Sequence, residues 1–145
     1  MHSPFFGYIS IIMGCERMFE LSVSAEFEAA HRIEGYPGKC HRLHGHNWVV
    51  EVGVAGDKLN DLGMLVDFKE LKKEVNRVLD QLDHQYLNEL PVFANGYNPT
   101  AEHIAKYVYD ELKGSELLHA DCRLKYVKIW ESPKSAVIYS EGEQQ

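Results

Sequence analysis

The chain has 145 residues, a mass of 16.6 kDa and a formal charge of −7, with 45% hydrophobic and 26% charged residues. That is the profile of one soluble globular domain long enough to bury its own core. The acidic balance argues against a nucleic-acid binder held by phosphate contacts, because no basic stripe stands out to displace counterions, whereas a small anionic substrate needs only a local positive site.

In chain order, the apolar run Phe5–Met13 is far shorter than the roughly 20 residues a bilayer span requires, and it lacks a basic flank. Residues 1–17 read as an N-terminal extension, and residues 18–145 as a single domain with no membrane association. Phe19, Leu21, Val23, Ala25 and Phe27 alternate with Glu20, Ser22, Ser24 and Glu26, which is the pattern of a half-buried antiparallel strand ending near His31. After a Gly/Pro-punctuated loop, Trp48, Val50, Val52 and Val54 mark a second strand. Asp67 followed by Glu70 is a helix start of capping-box type, and Leu71, Val75, Val78, Leu79 and Leu82 fall at helical spacing behind it. Residues 83–99 read as a long irregular loop, the kind that is usually functional. Pro99 opens a second helix with Ala101, Ile104, Ala105, Val108 and Leu112 inward and Gly114 past its end. Strands over about 122–131 and 135–140 close the chain. The order ββααββ predicts an α+β fold, an antiparallel sheet with two helices on one face.

The chemistry concentrates in Cys40-His-Arg-Leu-His-Gly-His46, which holds a thiol and three of the eight histidines. His44 and His46, two apart on a strand, point to one side and make a chelating pair, with Gly45 leaving room between them. Zinc suits imidazole and needs no redox partner. Two ordinary polar histidines at a strand end are the bland alternative, and the crowding by Cys40 and His41 weighs against it. His31, after Ala29-Ala30, is the candidate third ligand. Cys40 competes for that place, and would give a closed, structural site; three histidines would instead leave a coordination position for substrate. If Cys40 is not a ligand, nearby positive charge suits its thiol to proton abstraction. Cys15 and Cys122 read as inert. Three scattered cysteines are no disulfide framework and fit a reducing, cytoplasmic setting.

Elsewhere, Asp83 beside His84 can set an imidazole's tautomer and basicity, although adjacent residues do not easily bond each other and a histidine capping the helix C-terminus is the simpler reading. Glu131 shares the parity of Val127 and Ile129, at the end of an apolar row. A carboxylate there needs a partner, such as a ligand edge with two N–H donors, unless it simply reaches solvent. Thr100 and Glu102 are helix-start residues with capping as the default, or else face a ligand.

The segments Glu26-Phe-Glu-Ala-Ala-His-Arg-Ile33, Cys40-His-Arg-Leu-His-Gly-His-Asn-Trp48, Gly63-Met-Leu-Val-Asp-Phe-Lys-Glu-Leu-Lys72, Leu82-Asp-His-Gln-Tyr-Leu-Asn88, Asn98-Pro-Thr-Ala-Glu-His-Ile-Ala105 and Lys128-Ile-Trp-Glu-Ser132 resemble, in order and spacing, the 6-pyruvoyl- and 6-carboxy-tetrahydropterin synthase family from about Phe19 to Tyr139. The resemblance implies a tunnelling (T-) fold whose barrel is completed by oligomerisation, typically a hexamer of two trimers. It implies zinc on His31, His44 and His46, Cys40 as proton acceptor, Asp83 and His84 as a relay, and Glu131 anchoring a pterin ring. The substrate it implies is 7,8-dihydroneopterin triphosphate. The three-residue spacer between Cys40 and His44 resembles the members that make 6-carboxy-5,6,7,8-tetrahydropterin and release acetaldehyde and triphosphate, rather than those that stop at 6-pyruvoyl-tetrahydropterin. A slightly extended loop, Val92-Phe-Ala-Asn-Gly-Tyr-Asn-Pro99, departs from the family pattern at the pocket rim. The reading of another class is a structural-zinc module that binds a pterin or a partner.

Overall fold

A computed structural model describes residues 17–142, so the expected extension lies outside the described residues apart from Arg17. The elements are β1 (Phe19–His31), β2 (His44–Gly56), α1 (Phe68–Leu79), β3 (Gln85–Tyr86), α2 (Ala101–Lys113), β4 (Arg123–Ser132) and β5 (Ser135–Tyr139). The sheet order is β3-β1-β2-β4-β5. The four long strands pair antiparallel, as their alternation predicts. The short β3 instead runs parallel to β1, pairing Ala29 with Gln85 and Ala30 with Tyr86, so the sheet is mixed.

The inward row of β2, Trp48, Val50, Val52 and Val54, is fully buried. It meets Val23 and Phe27 of β1 and Val127 and Ile129 of β4. The helices cover that face with Leu71, Val75, Val78 and Leu79 from α1 and Ile104, Ala105, Val108 and Leu112 from α2. Helix α1 lies over β1, and α2 over β4 and β5. Apolar spacing at 3.6 residues on the helices and 2 on the strands therefore converges on one core.

Two helix boundaries carry local logic. The Asp67 side chain accepts a 2.7 Å hydrogen bond from Lys69 N, satisfying an otherwise unpaired N–H of the first turn. Thr100, not Pro99, caps α2, its hydroxyl accepting from His103 N at 3.2 Å. Gly114 ends that helix in right-handed geometry (φ −86°), so no left-handed turn demands a glycine there.

Residues 83–99 are more ordered than expected. Beyond β3 they form 3-10 turns at Leu87–Glu89 and Pro91–Phe93, with Leu87 and Phe93 buried. The outer face of α1 also gathers Lys69, Lys72, Lys73 and Arg77 along one groove, a local basic strip concealed by the acidic total. No described helix is long and apolar enough to cross a membrane.

Asp67→Ala should lower stability by about 1 kcal/mol. In thermal unfolding that is a Tm drop of about 3 °C with metal content unchanged.

Candidate metal centre and active site

Strand pairing builds the site. The β1–β2 register sets His31 directly opposite His44 and Ala29 opposite His46. The two β2 histidines share the inward parity of Trp48, and His31 that of Phe27 and Ala29, so three imidazoles meet at the mouth of the core. Their ring centroids are 4.6 Å (His31–His44), 5.1 Å (His31–His46) and 4.8 Å (His44–His46) apart. Trp48 floors the cluster, 5.1 Å from both His31 and His46, and stacks on Phe27. Its indole N–H donates to Ala29 O at 3.3 Å.

Hydrogen bonds fix the tautomers. His31 Nδ1 donates to Pro99 O at 2.8 Å, and His44 Nδ1 donates to Arg42 O at 2.6 Å. A carbonyl can only accept, so each ring presents a bare Nε2 lone pair, and the two Nε2 atoms are 3.0 Å apart. The third, His46 Nε2, is buried without a hydrogen-bond partner. Glu131 Oε1 lies 3.2 Å from it but makes no hydrogen bond. Two lone pairs facing each other and a third beside them repel unless a cation lies between. A proton is a poor candidate. Burial, followed by the neighbouring imidazoles, pulls the His31 pKa down against the pull of Pro99 O and Glu131, and His31 is only 1% exposed. Burial also lowers that of His46, against the pull of Glu131. A divalent metal fits. Two nitrogens on a tetrahedral ion stand about 3.3 Å apart. Carbonyl-bound Nδ1 atoms are the usual outer support of metal-bound histidines.

His31, His44, His46 and Glu131 offer donor atoms all within 4.8 Å of one another. Glu131 as a fourth donor was not foreseen. It shares the inward parity of the buried Val127 and Ile129, as expected, one residue past the Val49–Trp130 pair of β2 and β4. Cys40 stands outside this donor set, half-buried in the 3-10 turn Lys39–His41. His41 is exposed and also outside the set. Gly45 is not required by strand packing, since a Cβ would meet Ala29 O at an ordinary 3.7 Å. Its bareness opens instead onto the two cavities that flank His46. One, of about 700 Å³, is lined by Glu26, His46, Val49, Trp130 and Glu131. The other, of about 460 Å³, is lined by Glu28, His46, His84 and Tyr86.

Asp83 and His84 do bond each other, contrary to expectation: Asp83 Oδ2 is 2.9 Å from His84 Nδ1. The left-handed backbone at His84 (φ 56°) folds the ring back onto its neighbour. Nor is His84 a helix cap, because α1 ends at Leu79 with Asp80 as its cap. Two bonds to β1 hold the pair, Glu28 N donating to Asp83 Oδ1 at 2.9 Å and His84 N donating to Glu28 O at 2.6 Å. The bond to Asp83 raises the His84 pKa, and the Glu28 N–H, then His84, holds the Asp83 carboxyl low. Thr100 is engaged as a cap and Glu102 is exposed; neither lines the two cavities. Cys122 is buried, which pushes its thiol pKa up. Cys15 lies outside the described residues.

The sequence profile of the 6-pyruvoyl tetrahydropterin synthase family matches residues 20–142. The 6-carboxy-5,6,7,8-tetrahydropterin synthase of Haemophilus influenzae is 32% identical over 145 aligned positions, spanning 86% of this chain and all of that protein. The Bacillus subtilis protein of the same name is 37% identical, over 83% of this chain and 84% of that one. The structure of Caenorhabditis elegans 6-pyruvoyl tetrahydropterin synthase superposes with a TM-score of 0.75 at 31% identity, covering 87% of this chain and 97% of that one.

The lowered pKa values of His31 and His46 set a pH dependence. A folded-state pKa below the unfolded value of about 6.5 leaves stability whole above that pH and loses it as pH falls through the folded value. Metal-free protein should lose on the order of 1 kcal/mol, about 3 °C in Tm, between pH 7.5 and 5.5, and His46→Gln should shrink the drop. A Tm that holds or rises over that interval contradicts the burial argument.

Proposed function

The chain belongs to the 6-pyruvoyl tetrahydropterin synthase family, and from that premise we propose that it is a zinc-dependent lyase. It converts 7,8-dihydroneopterin triphosphate to 6-carboxy-5,6,7,8-tetrahydropterin, releasing acetaldehyde and triphosphate. The observation that carries the proposal is the convergence of three imidazole Nε2 atoms, two with their tautomers fixed by backbone carbonyls, beside a cavity large enough for a bicyclic ring. The carboxy product is favoured by the names of the relatives that align over most of the chain. Work in a cytoplasmic, thiol-reducing setting fits the unpaired Cys40 and Cys122.

His31, His44 and His46 would hold the zinc, a donor set that suits this ion. When bound, it supplies Lewis acidity that makes the C–H beside the substrate's side-chain hydroxyls easier to deprotonate. Cys40 takes that proton. Its placement outside the donor set leaves the sulfur available for it. His84, which lines the smaller cavity, moves a proton at the neighbouring carbon, with Asp83 holding Nδ1–H and Nε2 left beside Glu28 Oε2 at 3.5 Å. Glu131, which lines the larger cavity, accepts the ring's convergent N–H donors, and that wall is apolar at Val49 and Trp130. Thr100 and Glu102 are candidates only for the outer edge of the substrate.

Both edges of the sheet are short strands, β3 and β5, with Ile138 exposed on β5. Open edges invite pairing with another chain. We therefore include a homo-oligomer in the proposal, with the barrel closed by copies of this chain.

Mass analysis after incubation with the triphosphate should find the carboxy product and stoichiometric acetaldehyde; a 6-pyruvoyl product without acetaldehyde contradicts this reading. Cys40→Ala should keep about one zinc per chain while turnover falls by roughly two to four orders of magnitude. Zinc lost together with the thiol points to a structural site instead. Glu131→Ala should also keep its zinc and raise KM at least about tenfold, the loss of a charge-assisted contact; loss of zinc there would make Glu131 a ligand.

A further inference from the structure

The loop between His31 and His44 carries Cys40, and residues 34–39 of it are exposed. Such a loop would ordinarily be mobile. Here two asparagines grip it from outside. Asn88 Oδ1 accepts from Arg32 N at 2.9 Å while its Nδ2 donates to Arg32 O at 2.9 Å. Asn98 repeats the pattern on Glu34, accepting from its N at 2.9 Å and donating to its O at 3.0 Å. Each side-chain amide acts as a peptide group would in a sheet, closing a two-bond ring on one residue. Between the two gripped residues, Ile33 faces the other way, and its N–H donates to Cys40 O at 2.8 Å. The segment 32–34, which leads from the end of β1 into a turn, is thus held on one edge by asparagine amides and on the other by the backbone of Cys40.

The same connector serves the metal ligands. Asn98 immediately precedes Pro99, whose carbonyl orients His31, and Asn98 O accepts from His103 Nδ1 at 2.6 Å and from Thr100 N at 2.8 Å. Asn88 sits in the 3-10 turn directly after β3. Residues 83–99 therefore fix the His84 dyad, the Pro99 carbonyl that orients His31 and the segment carrying Cys40 against a single strand end.

We propose that Asn88 and Asn98 are positioning residues that hold the backbone segment carrying Cys40 against the end of β1. The inference rests on the reading of Cys40 as proton acceptor. A base must stand within hydrogen-bond reach of the proton it removes, and a misplacement of about 1 Å can cost about 100-fold in rate. A loop tethered only by its own turns would not hold that tolerance.

The test uses Asn88→Asp and Asn98→Asp in the zinc-loaded protein. Each keeps the accepting Oδ1 and the side-chain shape, and turns the donor into an oxygen that faces a carbonyl. Asn88→Ala is the companion variant should the aspartate disturb folding. Zinc content, kcat, KM and amide exchange at Ile33 are measured, and Asn88→Asp is repeated on the Cys40→Ala background. Expected are about one zinc per chain, KM within about threefold, kcat down about 10- to 100-fold and exchange at Ile33 raised at least about tenfold. On the Cys40→Ala background the residual rate should fall no further, because both changes remove one function. Unchanged exchange at Ile33 overturns the clamp. Raised exchange with kcat within twofold of wild type overturns its catalytic role, as does a rate loss that multiplies fully with Cys40→Ala. Wild-type turnover in Cys40→Ala alone overturns the thiol assignment, and is told apart because exchange at Ile33 still reports on the clamp.

Discussion

Everything at this site depends on one pairing register. Because His31 lies opposite His44 across β1 and β2, two imidazoles whose Nδ1 protons are committed to carbonyls must face each other through bare Nε2 atoms 3.0 Å apart. That arrangement is unfavourable by itself, and burial of His31 makes a proton a costly remedy. The fold tolerates it because the surrounding structure over-determines it. A one-residue slip would throw every inward side chain of β2 to the open face, including the fully buried Trp48, Val50, Val52 and Val54. The hydrophobic core thus enforces a polar geometry that only a cation relieves. Stability is spent on function here, which is the usual sign of a working site.

The second constraint is the connector between the helices. A two-residue parallel strand, a left-handed histidine and a pair of asparagines bring chemistry from distant sequence to the end of β1. In the Asp83–His84 dyad the carboxylate raises the pKa of the imidazole, while burial lowers those of His31 and His46. Imidazoles of opposite protonation tendency therefore share the cavity region beside His46: neutral rings suited to ligating a metal and a basic ring suited to exchanging protons.

Much of the fold was legible because apolar periodicity is a direct record of burial. The inward rows of β2 and β4 and the inner faces of α1 and α2 are where the spacing puts them. His44 and His46 needed only the period of a strand. What was not legible depended on registers and backbone angles that no local pattern encodes. The β2–β4 pairing brings Glu131 within donor distance of the histidines, and pattern gave only its parity. The positive φ at His84 lets neighbours bond, against the ordinary expectation for adjacent side chains. β3 is too short for alternation to register, and the asparagine clamps use polar residues that read as loop composition. Asn88 and Asn98 do fall within the quoted motif segments, as the last residue of one and the first of another, but nothing in the sequence says that their partners are Arg32 and Glu34.

The central claim is that three imidazoles hold a divalent ion and that the Cys40 sulfur does not. X-ray absorption spectroscopy of the zinc-loaded protein tests it most directly. The account predicts a first shell of nitrogen and oxygen scatterers at about 2.0–2.1 Å with imidazole outer-shell features. A sulfur scatterer at about 2.3 Å would contradict it, because the thiol assigned to take the proton would then be a ligand.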